Sequence, residues 1–160
     1  MEIDLLFYTR KDYGGWRRYT WLPVEWAQGK YVHCELFAHS RVLNASNREG
    51  VIWDTVGKFM PSGRHTVELD DDLFEYYVAT VIGQSYSWET FFKLLWPRWG
   101  TDPKGLICSE LVAYILANCA KSSYYAAPFI AVPPHRWTPN QVFDALTNLK
   151  EHAHESQADV

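Results

Sequence analysis

Cysteine is scarce in this chain: three among 160 residues, Cys34, Cys108 and Cys119, with no close spacing of the kind that grips a metal. Three thiols cannot all pair, which excludes a disulfide framework and sets an expectation of free thiols in a reducing, cytoplasmic compartment. Excess positive charge is also lacking. Fifteen Lys and Arg against nineteen Asp and Glu leave a net charge of −4, which sets the chain apart from proteins that coat nucleic acid. Long apolar runs are missing as well. Leu111–Ala117 spans seven residues, well short of the roughly 20 needed to cross a bilayer. Glu2 and Asp4 stand where a secretory leader carries positive charge, so the expectation is a soluble chain without a signal peptide.

What is abundant is apolar and aromatic. A hydrophobic fraction of 48 % excludes a disordered chain. Eight Trp, ten Tyr and eight Phe predict a core dense in rings, and the length suits one domain. Period-two patterns predict strands over Glu2–Tyr8, Tyr31–Ala38, Arg41–Ser46, Val51–Val56 and His65–Leu69. A two-residue turn at His39-Ser40 pairs Ala38 with Arg41, and counting back sets Glu35 opposite Asn44 and His33 opposite Ser46.

Past Asp70 the period becomes helical. Asp70, Asp71 and Asp72 offer N-caps for a helix through Ile82 that Gly83 stops, and a shorter helix is predicted over Trp88–Leu95. Ile107–Cys119 is the clearest helix, with Cys108, Leu111, Val112, Ile115, Leu116 and Cys119 on one face. Thr138-Pro139-Asn140-Gln141 is a capping box opening a last helix to about Leu149. The expected architecture is α+β, an antiparallel sheet or small open barrel packed against the Cys108 helix. Residues 1–150 form its single domain, and 151–160 a flexible polar tail.

Cys108 has two readings. Its place on the apolar stripe is that of a core cysteine, a residue type commonly buried. Its place in the first helical turn is that of a nucleophile, because the unpaired amides and the dipole there stabilise a thiolate and face a developing oxyanion. Cys34 in mid-strand and Cys119 at a helix C-terminus are poorer candidates. A thiolate nucleophile needs an imidazole base on a neighbouring strand. Of six histidines, His33 lies inside a strand and shares a face with Glu35; its other reading is a polar residue on a solvated face.

The strand His33-Cys34-Glu35-Leu36, the meander after it, and Gly105-Leu106-Ile107-Cys108-Ser109-Glu110-Leu111-Val112 opening a helix together resemble a known family. It is the circularly permuted branch of the NlpC-type, papain-like cysteine hydrolases, which includes lecithin:retinol acyltransferase-like proteins. Gly83-Gln84-Ser85-Tyr86 and Thr138-Pro139 fit the same pattern, and the likeness covers about residues 30 to 145. It implies a permuted papain-like fold with Cys108 as nucleophile and His33 as general base. Relatives place the third, polar residue on the strand after the His, where Asn44 or Ser46 falls. Neighbouring strands are about 4.8 Å apart, whereas a residue two along the strand is roughly 6.7 Å away at the backbone. Glu35 is nonetheless the choice for the third catalytic residue, because a carboxylate stabilises an imidazolium. Glu110 is assigned to the helix dipole. Tyr86 reads as either a cleft wall or ordinary packing.

The implied reaction is acyl transfer on a peptide, peptidoglycan-like or other small-molecule amide, or on a lipid ester, bound in a cleft. No cofactor or metal is expected; His152 and His154 lack further ligands. A second reading is a papain-like binding or structural module without turnover, such as a phage or bacterial assembly component. Residues 10–30 hold five cationic and two anionic side chains with Tyr13, Trp16, Tyr19, Trp21 and Trp26 among them. That stretch reads either as a substrate lip or nucleic-acid or membrane surface, or as a loop whose rings cover the sheet. Nucleic acid is the least favoured of these partners.

Overall fold

The computed structural model describes residues 1–55, 59–88 and 105–158. Five strands form one antiparallel sheet: β1 Glu2–Thr9, β2 Tyr31–Ala38, β3 Arg41–Ser46, β4 Gly50–Thr55 and β5 Gly63–Glu68, in the order β4-β3-β2-β1-β5. The sheet is open, with β4 and β5 as its edges, and does not close into a barrel. β1 lies at the second position from the β5 edge and is buried from Ile3 to Thr9, which is why its sequence is a near-continuous apolar run rather than an alternation.

His39 and Ser40 both take positive φ, 51° and 60°, as a two-residue hairpin turn matched to strand twist requires. Ala38 pairs with Arg41 and Leu36 with Leu43, but the β2–β3 ladder goes no further. β3 continues instead against β4, pairing Asn44 with Ile52 and Ser46 with Gly50. The first half of β2 is thereby left without a strand partner on that side among the described residues. On its other side β2 stays paired with β1 through Tyr8–His33, after which the register shifts.

Six α-helices are described: α1 Arg17–Thr20, α2 Leu22–Gln28, α3 Asp71–Val81, α4 Cys108–Cys119, α5 Ser123–Ala131 and α6 Pro139–Ala158. Asp70 caps α3 by accepting from the Leu73 amide at 3.0 Å. The Thr138–Gln141 capping box forms in both directions, Gln141 N to Thr138 Oγ1 at 3.3 Å and Thr138 N to Gln141 Oε1 at 2.9 Å. α4 is buried well beyond one stripe: Ser109, Glu110 and Ala113 are enclosed along with the apolar face. It packs on β2 and β3 and against α3, α5 and α6. Burial of each large aliphatic side chain along it is worth about 1.5–3 kcal/mol.

Three expectations are corrected. Residues 10–30 are mostly helical rather than a loop. The stretch Tyr124–Pro134, whose sequence reads as a rim loop, is instead mostly helical in α5, with Pro128 inside the helix and Val132 N donating to Pro128 O at 3.3 Å. α6 runs to Ala158, past Leu149, so the polar tail is helical where fraying is expected, and Lys, Glu, Gln and Ala are strong helix formers. The helix expected over Trp88–Leu95 lies, from residue 89, outside the described residues, as does Val56.

Candidate active site

The site forms where α4 begins beside the unpartnered half of β2. Ile107 is the N-cap of α4, and the Glu110 carboxylate accepts from the Ile107 amide at 3.1 Å, the N3-to-N-cap half of a capping box, since the Ile107 side chain has nothing to accept with. Glu110 therefore serves the helix terminus, the role its first-turn position suggests. The first intrahelical bond runs from Leu111 N to Ile107 O. The amides of Cys108 and Ser109 precede that bond and have no i−4 carbonyl within the helix. Ser109 Oγ donates to the Trp137 carbonyl at 2.6 Å, tying α4 to the chain entering α6.

A short segment upstream fixes where α4 starts. Val51 N donates to Gln84 O at 2.8 Å, Leu106 N to Ser85 O at 3.0 Å and Ser87 N to Leu106 O at 3.2 Å. Residues 84–87 are thus wedged between the start of β4 and the chain leading to Cys108, with a parallel bridge between Tyr86 and Leu106. Gly50 and Gly105 flank this wedge. A Cβ on Gly50 would press on the Gln84 carbonyl and one on Gly105 on the Ser85 carbonyl. The approach is close enough that only glycine fits.

His33 lies between two partners. Its Nε2 donates to Glu35 Oε1 at 3.0 Å, and the ring is close enough to Cys108 for each to shift the other's titration. Residues two apart on a strand share a face, so this contact follows from β2 being a strand. Glu35 also accepts from the Tyr8 hydroxyl. Tyr8 is His33's register partner on β1, with ring centroids 5.9 Å apart. Asn44 and Ser46, the alternatives for the third position, make no hydrogen bond to His33 among the described residues. Ser46 Oγ instead accepts from the Arg48 amide. β3 has already left β2 at that level, so the cross-strand pairing that would bring them opposite His33 and Glu35 is absent.

Cys34 belongs to the site in a way its pattern does not announce. It is buried on the core face, and its backbone amide and thiol both donate to Cys108. In the hairpin, residues 38, 36 and 34 turn their amides toward β3. With the ladder ending at Leu36–Leu43, the Cys34 amide meets no strand among the described residues, and it favours the Cys108 thiolate. Cys108 reaches both His33 and Cys34, residues on opposite faces of β2, because it approaches along the free edge.

These contacts set the charges. Donation from the Cys34 thiol, opposed by burial and reinforced by the His33 imidazolium, holds the Cys108 thiol well below its ordinary range. For His33, burial favours the neutral ring, but the charge and hydrogen bond of Cys108 and then Glu35 outweigh it and raise its pKa to about 10. Glu35 stays ionised despite burial because His33 and Tyr8 donate to it. Burial pushes the Cys34 thiol up, and pushes Cys119 up to about 12. These directions all favour a thiolate–imidazolium pair backed by a carboxylate.

Replacing Glu35 with Gln keeps an acceptor but removes the charge. The pH at which His33 loses its proton is expected to fall from about 10 by about 1–2 pH units, read from the His33 ring signals in an NMR titration. An unmoved titration would show that Glu35 is a bystander.

Aromatic rings enclose the dyad. Trp21 lies 6.4 Å from the His33 ring, and Tyr13 packs on Tyr8, Trp21 and Phe59 at 6.3, 5.4 and 5.1 Å. Burial, then the charges of Glu35 and Cys108, keep Tyr13 protonated, and burial followed by Cys108 does the same for Tyr86. Tyr86 thus sits within electrostatic reach of the thiolate, and its ring meets Trp88 at 5.1 Å. Cys108 remains 7 % exposed.

Among the described residues no group of three His, Cys, Asp or Glu is placed to hold a metal ion, and no helix is long and apolar enough to cross a membrane. Set against protein-family models, curated proteins and solved structures, the chain matches none.

Proposed function

We propose that the chain is a cysteine hydrolase or acyltransferase working through a thioester on Cys108. The observation that carries this reading is the His33 ring, bonded through Nε2 to Glu35 at 3.0 Å and coupled electrostatically to Cys108 at the start of α4. The Cys108 thiolate attacks the carbonyl of an amide or ester, and the oxyanion that develops faces the N-terminus of α4, where the amides and the helix dipole favour negative charge. His33, held as imidazolium, gives its proton to the departing amine or alcohol as the tetrahedral intermediate collapses to the thioester. Neutral His33 then takes a proton from water, or from a second acceptor, as that oxygen or nitrogen attacks the thioester. The thiolate departs and the ion pair is restored. Glu35 stays ionised throughout and keeps the ring in register. Peptide-like amides, including peptidoglycan stems, are the leading substrate class and lipid esters the next.

The test is limiting alkylation of the whole chain by iodoacetamide at pH 7, with the modified thiols located by mass spectrometry. Cys108 is expected to react first, since burial holds the thiols of Cys34 and Cys119 protonated. An activated ester such as p-nitrophenyl acetate should leave an acetyl group on Cys108. Equal modification of all three thiols would overturn the reading.

A further inference from the structure

We infer that the α1–α2 segment is a docking surface for an anionic lipid bilayer. Residues 16–28 follow a nearly continuous helical path, since Trp16 and Trp21, the two ends of α1, are themselves in the right-handed helical region. Along it Trp16, Tyr19, Leu22 and Trp26 recur at helical spacing and form one stripe. The stripe faces outward: these residues are 73, 58, 49 and 90 % exposed. The inner side is filled by Val24, which is buried, and by Trp21, which with Tyr13 covers the dyad. This short helical segment is therefore apolar on both sides, and among the described residues only the inner side has a partner.

The residue types and charges indicate what covers the outer side. Trp and Tyr combine an apolar body with a polar N–H or O–H, which suits the headgroup boundary of a bilayer, and flanking cations suit anionic headgroups. Lys11, Arg17, Arg18 and Lys30 form no ion pair among the described residues. Arg10, by contrast, is satisfied by Glu25 at 2.6 Å. Arg18 lies over the Tyr19 ring at 4.7 Å, within the stripe itself. Residues 10–30 carry a local charge of +3 in a chain of net −4, so the remainder carries −7. An anionic surface attracts this one face and repels the rest, which orients the chain with α1–α2 against the lipid. A second copy of the chain is a poorer occupant, because a two-fold contact would set the +3 patch against itself.

The proposal does not depend on chemistry at Cys108, and its test leaves that residue alone. The full chain is sedimented with vesicles of phosphatidylcholine, with and without phosphatidylserine. Binding is expected only where phosphatidylserine is present, and is expected to weaken as salt rises. Trp26→Ser, at a site with no packing to lose, should reduce the bound fraction about tenfold. Arg17→Glu should reduce it by about fivefold or more. Absence of binding, equal binding to both vesicles, or unchanged binding by Trp26→Ser would overturn the proposal. Self-association abolished by Trp26→Ser without vesicle binding would assign the stripe to a second copy and overturn it too.

Discussion

In His33→Ala the pH of half-maximal Cys108 alkylation is expected to move up to 9 or beyond, the range of an ordinary or buried thiol. The wild-type profile should instead rise well below that, because the Cys34 donor and the imidazolium both favour the thiolate. The sign follows from which form each neighbour stabilises. Removing a cation raises a thiol pKa, and burial, no longer opposed by that charge, raises it further. At pH 7 a thiol titrating near 9 is about 1 % ionised, so the reactive fraction falls about a hundredfold. A more basic thiolate is the better nucleophile, and a Brønsted slope of about 0.4–0.5 returns part of that loss. The net fall in alkylation at pH 7 is therefore well under a hundredfold, and the upward move of the midpoint is the decisive readout. Acyl transfer should lose more, about 10²–10⁴-fold, since base and acid go together. His33→Gln, closer in volume, separates the loss of charge from any loss of packing. A pH profile that keeps its wild-type midpoint in both variants would remove His33 from the site.

The parts of this site that were legible in the sequence depend on local geometry. His33 and Glu35 share a face because strands repeat every two residues, and Cys108 opens a helix because an apolar stripe begins beside it. The bounds of β2 and β3 were legible for the same reason, with the turn at His39-Ser40 setting their pairing. Cys34 was not legible. Alternation places it on the face opposite His33, and its contact with Cys108 exists only because β3 leaves β2 after Leu43, a choice made by β4 from elsewhere in the chain. The pairing count that set Asn44 and Ser46 opposite the dyad fails at the same departure. The helical turns over residues 16–28 were masked by Gly14, Gly15 and a mixture of Trp and Arg with no inward-only apolar face. Asn140 secures that segment from far away in sequence: its side chain donates to Gln28 O at 2.6 Å and accepts from Tyr31 N at 3.0 Å. No local pattern carries such a clamp.

The same dependence on distant contacts makes Gly105→Ala the substitution outside the dyad with the largest expected effect. Gly105 does not need a left-handed backbone; it needs the absence of a side chain, since a methyl group there would press into the Ser85 carbonyl. That oxygen is not free to retreat. It accepts from Leu106 N at 3.0 Å, and its neighbour Gln84 is held by Val51 N at 2.8 Å against β4. The clash must therefore either break the wedge or push the start of α4 away from β2. Overpacking against backbone of this kind costs about 3 kcal/mol, about 6–12 °C in Tm for a domain of this size. Displacing the first turn of α4 also lengthens the contacts of Cys108 with Cys34 and His33, so alkylation should slow even at temperatures where the variant is folded. Gly83→Ala is the control. Gly83 has φ of 80° but nothing near its missing Cβ, so alanine there meets only the left-handed backbone cost of about 1–2 kcal/mol and leaves Cys108 in place. Thermal unfolding and Cys108 alkylation, measured on both variants, separate the two costs. A Gly105→Ala chain as stable and as reactive as wild type would mean that the wedge does not hold the nucleophile in position.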